Sequence, residues 1–329
     1  MRTIQKPQAC SQHHRPTLGD PLHASPRGRA SDHSPLVSPP CPASGRAIPA
    51  SPRHHGPTVE DLHQAVRLHD IARVEKIASA LTDVSSSLRA TTALSLAVYQ
   101  GHLDTVELLL RHGADVDKLS RDAMERLETP LFSACRLGHT GIARVLIQRG
   151  ADLNKTDFYA HTPVWINTRD KRAEIIQMLV ERGARLNISP AWNQCPLYLA
   201  AKFSGRLAIA TLLVYHGVRL DVADRSGHSA LYWALHNCDR DLARLLVSAG
   251  ARLNPSWVLS DELPYELQRD ETFSDWLTEE ATTAPPLLRQ CRAVVRDRFR
   301  CLADYSSIVG RIEQLPLPKR LLDYVKLKS

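Results

Sequence analysis

The chain has 329 residues, enough for one large domain or two ordinary ones, and its 43% hydrophobic and 23% charged residues are the balance of a globular protein. Its longest apolar stretches fall short of the roughly 18 residues that a membrane helix needs. The first ten residues lead into no apolar run of the kind found in secretory signals. We therefore expect an intracellular protein, in the cytoplasm or also in the nucleus, without membrane contact. Seven cysteines with no Cys-x-x-Cys spacing indicate buried thiols rather than a disulfide or zinc framework.

The formal net charge of +7 is concentrated in residues 1–57. This segment holds seven basic and two acidic residues, 11 of the 21 prolines and six of the 15 histidines, and no aromatic residue. Such a composition buries too little apolar surface to offset its chain entropy, so we predict that 1–57 is disordered. A nucleic-acid partner is one hypothesis for a basic tail, but without aromatic side chains the contacts would be weak and salt-sensitive. Its histidines lack flanking ligands, and we expect no metal site.

From residue 58 onward the sequence repeats itself. A glycine followed by a small residue, a charged residue, Leu or Val, and then Asp or Asn recurs at Gly113, Gly150, Gly183, Gly217 and Gly250. The steps between these glycines are 37, 33, 34 and 33 residues. At 21 or 22 residues before each glycine, a helix-opening sequence begins, at Thr92, Thr129, Thr162, Cys195 and Ser229. The glycine motif and the helix-opening sequence thus recur at a nearly constant distance from each other, which indicates a repeat architecture.

The residue types explain how such a repeat folds. Thr at the opening position caps a helix, and the Pro that follows Thr129 and Thr162 suits the first helical position because no N–H is needed there. Small residues let the paired helices approach, at Ala97, Ala134 and Ala200. Glycine favours the left-handed turn between paired helices, as in 101–102 and 138–139, whereas 171–172 and 238–239 lack it.

These repeats resemble ankyrin repeats, each made of a β-turn and two antiparallel helices. The resemblance implies an all-α solenoid with a degenerate cap at 58–90, repeats at about 91–120, 129–157, 162–190, 194–224 and 228–254, and a degenerate capping repeat or linker at 255–284. No phosphate loop, zinc-protease motif or nucleophile elbow is present. We therefore expect no catalytic residue and no cofactor.

Two further patterns follow in a fixed order near the C-terminus. Leu287, Cys291 and Val295 stand at i, i+4 and i+8, which places them on one stripe of a helix. Downstream, the segment Leu315-Pro316-Leu317-Pro318 leads into a short helix whose predicted buried face is Leu321, Tyr324 and Val325. Each pattern alone is weak, because a cysteine on an apolar stripe is usually a core residue. The two patterns together, in this order and after the repeats, are a far more specific signal than either pattern alone.

These C-terminal residues resemble a SOCS box, and residues 58–329 as a whole resemble the ankyrin repeat and SOCS box family. The resemblance implies a small three-helix box at 285–329. It also implies that Leu287, Cys291 and Val295 bind Elongin B and Elongin C, and that Leu315, Pro316, Leu317 and Pro318 select cullin-5 with its RING subunit. The chain would then be a non-catalytic adaptor that brings a protein target to a ubiquitin ligase. The alternative is an ankyrin scaffold whose box is out of use.

The resemblance places the target on the concave face of the solenoid. Aromatic residues stand at the predicted turn tips, at Phe158, Tyr159 and Trp192, and Arg121 and Arg126 lie in a lengthened turn. Aromatic and Arg side chains are the types that anchor interfaces. A second aromatic series has one member per repeat, at Phe132, Trp165, Tyr198 and Tyr232. These four residues could either pack between neighbouring repeats or bind the target, and the sequence leaves both roles open.

Overall fold

The computed structural model describes residues 56–121, 126–188, 195–254, 257, 263–283, 285–302 and 307–327. The segment 1–57, for which the sequence predicts disorder, lies almost wholly outside these residues, and so does Trp192. In the described part of the chain, no helix combines the length and the apolar character needed to cross a bilayer.

Six pairs of short antiparallel helices make up the first part of the structure. They are α1 Val59–Arg67 and α2 Ile71–Ala80, α3 Ala93–Gln100 and α4 Leu103–Arg111, α5 Pro130–Leu137 and α6 Thr140–Gln148, α7 Pro163–Arg169 and α8 Ala173–Glu181, α9 Pro196–Lys202 and α10 Leu207–Tyr215, and α11 Ala230–His236 and α12 Arg240–Ala249. The first helices of successive pairs contact one another, and so do the second helices. The pairs therefore stack as a two-layered solenoid.

The first helix of each repeat begins where the sequence predicts. The hydroxyl of Thr129 accepts a hydrogen bond from the backbone N–H of Phe132 at 3.2 Å, and that of Thr162 accepts one from Trp165 at 3.1 Å. Cys195 does the same with its thiol, which lies 3.4 Å from the backbone nitrogen of Tyr198. Each cap satisfies a backbone donor that the first helical turn leaves free.

Left-handed residues join the paired helices even where glycine is missing. Gly101 and Gly138 have φ angles of 80° and 81°. Lys171 and Cys238 occupy the equivalent turns with φ angles of 60° and 56°, which are costly for residues with a Cβ atom. The packed helices on either side thus impose this turn on unfavourable residues.

Polar side chains at the end of each repeat motif bond to the next repeat. The carboxylate of Asp117 accepts a hydrogen bond from the backbone N–H of Asp152 at 3.0 Å, and the Asn154 amide oxygen accepts one from Arg185 at 2.7 Å. Asn187 and Asp221 accept equivalent bonds from the backbone N–H groups of Arg219 and Arg252, at 2.8 and 2.9 Å. This explains why Asp or Asn closes the motif, since the carboxylate or amide oxygen accepts a main-chain hydrogen bond from the next repeat.

Two small hairpins project from the N-terminal repeats. β1 Ser87–Leu88 pairs with β2 Thr91–Thr92, and β3 Ser120–Arg121 pairs with β4 Leu127–Glu128, both antiparallel. The hydroxyl of Thr91 donates to the carbonyl of Arg121 at 2.8 Å, and the Arg121 N–H donates to the carbonyl of Ala90 at 2.9 Å. The two hairpins are therefore bonded to each other.

Two helices, α13 Tyr265–Gln268 and α14 Glu271–Thr282, cover the last repeat. Leu267, Phe273 and Leu277 are buried in the solenoid core. The guanidinium of Arg240 donates to Asp270 at 2.7 Å, which ties α12 to the start of α14. The apolar residues of this acidic segment thus continue the stack.

The chain ends in a three-helix unit formed by α15 Leu287–Leu302, α16 Val309–Glu313 and α17 Lys319–Lys326. Its small core consists of Ile308, Ile312 and Val325, and four further side chains pack against this core, namely Val295, Phe299, Leu315 and Leu322. The unit is too small to bury much apolar area alone, so its contact with the solenoid matters for its stability.

Candidate functional site

The first part of α15 exposes large apolar side chains. Leu287 is 75% exposed and Val294 is 68% exposed, with Leu288 and Cys291 also on the surface. Such residues would normally be buried, and a contiguous apolar face of this kind indicates a protein interaction site. The sequence grouped Leu287 and Cys291 with Val295, which in the structure packs partly against the core of the three-helix unit.

The segment from Leu315 to Pro318 forms the turn between α16 and α17. Leu315 packs against the small core, whereas Pro316, Leu317 and Pro318 are exposed at the surface. Pro318 stands immediately before the first residue of α17 and fixes the direction in which that helix leaves the turn. The turn therefore presents a short rigid apolar surface to solvent.

The predicted buried face of α17 is wrong at one position. Leu321 is 41% exposed, and Leu322 packs against the core in its place. Both Leu321 and Leu322 lie within about 60° of Val325 around the helix, so residue spacing alone does not decide which of the two is buried. Val325 is buried and Tyr324 half-buried, as the sequence predicts.

A stripe of three arginines on α15 fastens the three-helix unit to the solenoid. Arg296, which is 2% exposed, donates to the carbonyls of Val214 and Tyr215 at the end of α10 and to that of Val325 in α17. All three carbonyls belong to the last turn of a helix, where the regular i to i−4 pattern supplies no donor, and that of Val214 also accepts the backbone N–H of Gly217. A cation there also meets the negative end of the helix dipole.

Arg292 and Arg300 extend this contact on either side. Arg292 donates to the carbonyl of Ser248 near the end of α12, and its guanidinium lies 4.3 Å from the ring centre of Tyr324. Arg300 donates to the carbonyl of Gly217 at 2.9 Å. Burial, with help from Arg300 and Arg292, lowers the pKa of Arg296 to about 10, so the group keeps its charge at pH 7.

The residues before α16 make a second contact with the end of α10. The backbone N–H of Ile308 donates to the carbonyl of His216 at 3.1 Å, and the Nδ1 atom of His216 lies 2.7 Å from the Ser307 hydroxyl. A Cβ atom on Gly217 would lie 2.6 Å from the nearest atom of the Ile308 side chain. The absence of a side chain at this repeat glycine therefore makes room for Ile308. Burial lowers the pKa of His216.

The predicted target-binding residues lie on the repeat turns. Phe158 is 87% exposed and Tyr159 is 64% exposed, at the tip of a turn where the Asp157 carboxylate accepts bonds from the N–H groups of Tyr159 and His161. The His161 ring stacks on Trp165 with 3.7 Å between ring centres. Because neither Phe158 nor Tyr159 is a core residue, both remain available for a partner.

The two arginines of the lengthened turn have different surroundings. Arg126 lies 3.8 Å from the carboxylate of Glu128, which is 2% exposed and also receives the guanidinium of Arg136 at 3.0 Å. Arg121 is an exposed side chain on β3. The structure thus gives Arg126 a partner within its own repeat and places Arg121 beside the hairpin β1–β2.

Three members of the second aromatic series belong to the solenoid core. Phe132 and Tyr198 are each 1% exposed and Trp165 is 6% exposed. Tyr232 is half-buried and stacks on His228 and His236 of its own repeat. Packing is therefore the better interpretation for Phe132, Trp165 and Tyr198.

Comparison with known proteins now identifies both parts. The family model for ankyrin repeats matches residues 62–157 and 160–256, more than half of the chain, and the family model for the SOCS box matches residues 283–326. The chain is an ankyrin-repeat protein with a C-terminal SOCS box. This is the architecture of the ankyrin repeat and SOCS box family, whose members are substrate receptors.

Solved structures agree on the solenoid. An ankyrin repeat domain from Acinetobacter baumannii is 26% identical, with a TM-score of 0.54, and the match covers 58% of this chain and 98% of that one. The ankyrin repeat domain of Bcl-3, a member of the IkappaB family, is also 26% identical, with a TM-score of 0.53, and covers 60% of this chain and 87% of that one. A search of curated proteins gave no significant match.

The described residues of the ankyrin repeats and SOCS box contain no group of three or more metal-ligating side chains. Burial raises the pKa of the Cys135 thiol to about 12, so this cysteine stays protonated and is a poor nucleophile. The combination of ankyrin repeats with a SOCS box supports an adaptor role in a SOCS-box ubiquitin ligase.

Proposed function

We propose that this protein is the substrate-recognition subunit of a cullin-5 ubiquitin ligase. The observation that carries the proposal is the exposed apolar face of the SOCS-box helix α15. Leu287 and Val294 remain open to solvent while the arginine stripe of the same helix is buried against the repeats. The helix is thus held by one side and offers the other to a partner, which we assign as Elongin B and Elongin C.

The protein acts by holding the target close to the ligase, and it catalyses no reaction itself. The repeats hold the target while the SOCS box holds the ligase, so that a target lysine meets the ubiquitin carrier at a high effective concentration. The hydrogen bonds from Arg296 and Ile308 to the end of α10 support this role, because they fix the orientation of the box relative to the repeats. Ubiquitination would then lead to proteasomal degradation in the cytoplasm or nucleus.

The choice of cullin-5 is assigned to the turn from Leu315 to Pro318. Exposed Pro316 and Leu317 give this turn an apolar surface separate from that of Leu287. Leu315 is kept because it packs against the core of the box, and replacing Pro316, Leu317 and Pro318 with alanine should release cullin-5 and its RING subunit while Elongin B and C stay bound. Retention of both partners would show that the cullin contact lies elsewhere.

Leu287→Ala in the full chain tests the Elongin contact. Because Leu287 is exposed in the free chain, its loss should leave the melting temperature unchanged. Burial of a leucine in the complex is worth roughly 2 to 5 kcal/mol, so capture of Elongin C should weaken about 30-fold or more. Leu68→Ala is the matched control, since Leu68 is 65% exposed on the first repeat and should retain capture. Undiminished capture by Leu287→Ala would favour the alternative, an ankyrin scaffold without a ligase role.

A further inference from the structure

A groove of about 400 Å³ opens on the first-helix side of the N-terminal repeats. It is lined by helix α1, by the hairpin β1–β2, by helix α3 and by the start of β3. Its charged residues are Glu60, Arg67, Arg89 and Arg121, and its apolar residues are Leu88, Leu96 and Tyr99. The volume is within the range of small-ligand and side-chain pockets. Among the described lining residues, three arginines stand against one glutamate, so this part of the lining carries a net positive charge.

A buried histidine without a full set of partners also lines this groove. His63 is 1% exposed, and its Nε2 atom has no hydrogen-bond partner among the described residues. Buried side-chain nitrogen atoms are nearly always hydrogen-bonded, since an unpaired one is costly. One residue of the groove lining therefore carries a buried ring nitrogen that the described residues leave unsatisfied.

The hairpin beside His63 holds an arginine in an unfavourable backbone conformation. Arg89 and Ala90 are the two turn residues between β1 and β2, with φ angles of 52° and 62°. Two-residue turns of this type favour Asn-Gly, because a Cβ atom is disfavoured at positive φ. The bonds from Thr91 to Arg121 and from Arg121 to Ala90 keep the hairpin beside the groove. The fold therefore keeps Arg89 at the rim although its backbone conformation is disfavoured there.

We propose that this groove binds an anionic side chain of the target protein, either a carboxylate or a phosphate monoester. Arg67, Arg89 and Arg121 supply the positive charge, and guanidinium groups form strong, directional bonds to both kinds of anion. Leu96 and Tyr99 give the groove an apolar wall, which suits an apolar residue next to the acidic one. The inference rests on the proposed function, because it concerns the target that the repeats present.

Proton uptake at His63 should accompany binding. Burial and the charge of Arg67 lower the pKa of His63, and a hydrogen bond with the backbone of Ser86 acts in the opposite direction. The charged or titratable groups that line the groove together with His63 are Glu60, Arg67, Arg89, Arg121 and Tyr99. A bound anion adds negative charge to the groove that the ring lines, so it favours the protonated ring. Binding of a glutamate peptide should therefore strengthen as the pH falls from 8 to 6.

Peptide libraries with one fixed central residue test the proposal. Four libraries with Glu, Gln, phosphoserine or Ser at the centre and random flanking positions are passed over the immobilised full chain. We expect the Glu or the phosphoserine library to be retained about tenfold more than its neutral counterpart, as for other charge-assisted bonds. Whichever of these two libraries is retained better shows whether the groove binds a carboxylate or a phosphate of the target. Equal retention of charged and neutral libraries would overturn the proposal.

A paired substitution removes the rim charge without endangering the fold. Arg89→Asn with Ala90→Gly gives the turn its preferred sequence, so the melting temperature should stay the same or rise. The preference for anionic peptides should fall severalfold. Arg149→Gln is the control, because Arg149 is an exposed arginine outside the groove. An unchanged preference in the Asn-Gly variant would contradict the proposal.

Elongin capture is measured on the same samples. The Asn-Gly variant should capture Elongin C like the wild type, since the groove and the SOCS box are separate surfaces. If the wild type captures Elongin C but does not discriminate between the libraries, only the groove proposal fails. If the wild type selects anionic peptides but does not capture Elongin C, the ligase proposal fails and the groove remains a binding site.

Discussion

The backbone N–H of Ile308 donates to the carbonyl of His216, 3.1 Å away, and thereby joins the SOCS box to the end of the outer helix α10. The Ile308 side chain is fully buried and lies over Gly217, which follows the C-cap residue of α10. One repeat glycine thus has two roles. Its left-handed conformation ends the helix, and its missing side chain makes room for the box.

Gly217→Ala should therefore loosen the box. The φ angle of 91° at this position disfavours alanine by about 1 kcal/mol, and the new Cβ atom would overlap Ile308, which adds about 1 to 3 kcal/mol. We expect faster amide hydrogen exchange at residues 307–327 and weaker degradation of the target. The measurement is hydrogen exchange of the full chain followed by mass spectrometry.

Gly183→Ala is the matched control for this substitution. Gly183 has a φ angle of 90° in the equivalent turn, but nothing lies within 4 Å of its added Cβ atom. Gly183→Ala should destabilise the protein only through its unfavourable backbone conformation, and it should not change exchange in the SOCS box. Equal effects of both substitutions on the exchange of 307–327 would show that Ile308 adapts and that the contact is unimportant.

Arg296→Ala tests the arginine stripe. The substitution removes the guanidinium donor from the carbonyls of Val214, Tyr215 and Val325, and a hydrogen bond to a charged group contributes about 1.5 to 3 kcal/mol. The box should lose most of its protection from exchange while the repeats keep theirs. Arg298→Ala, which changes an exposed arginine on the same helix, should have little effect. If the box of Arg296→Ala is as well protected from exchange as that of the wild type, the Arg296 contact does not hold the box on the repeats.

Much of this fold follows from local sequence signals. The caps at Thr129 and Thr162 depend on residues only three positions apart, so the sequence alone locates these helices. The arginine stripe was missed because arginines at four-residue spacing on a C-terminal helix usually indicate a solvated face. Their carbonyl partners in the solenoid lie 44 to 83 residues away in the chain, for example Val214 for Arg296. The groove was missed for the same reason, since it joins His63 to a hairpin and to Arg121 through tertiary contacts alone.

The contact between the SOCS box and the end of α10 should weaken in mild acid. Burial lowers the pKa of His216 below its ordinary value of 6.5, so the unfolded chain binds a proton more readily than the folded one. Stability from the neutral ring is fully present above about pH 6.5 and is lost as the pH falls through the lower folded value. The free energy of unfolding should therefore decrease between pH 7.5 and 5.5, by at most about 1.4 kcal/mol per pH unit for one proton.

His216→Gln separates this contribution from those of other histidines. Burial also lowers the pKa of His63 and His102, so the wild type should show a steeper pH dependence than one ring accounts for. The variant should have a shallower slope in urea unfolding between pH 7.5 and 5.5. Parallel pH curves for variant and wild type would mean that His216 titrates alike in the folded and unfolded states.

Phe158→Ala combined with Tyr159→Ala tests the predicted target surface. Both rings are largely exposed, and truncation of exposed side chains usually changes stability by less than about 0.5 kcal/mol. Anchors of an interface cost at least about 1 to 2 kcal/mol of binding when truncated. The double variant should keep its melting temperature and its Elongin capture but should no longer degrade what the wild type degrades, as measured by quantitative proteomics in cells.

Tyr265→Ala is the control for this pair, because Tyr265 is 70% exposed on α13, at the opposite end of the repeat stack from the groove. It should change neither the melting temperature nor degradation. A collapse of the melt in the double variant would mean that the two rings support the turn held by Asp157 rather than a partner. A normal melt with normal degradation would move the target site away from this turn, and the groove around His63 would then be the next surface to test.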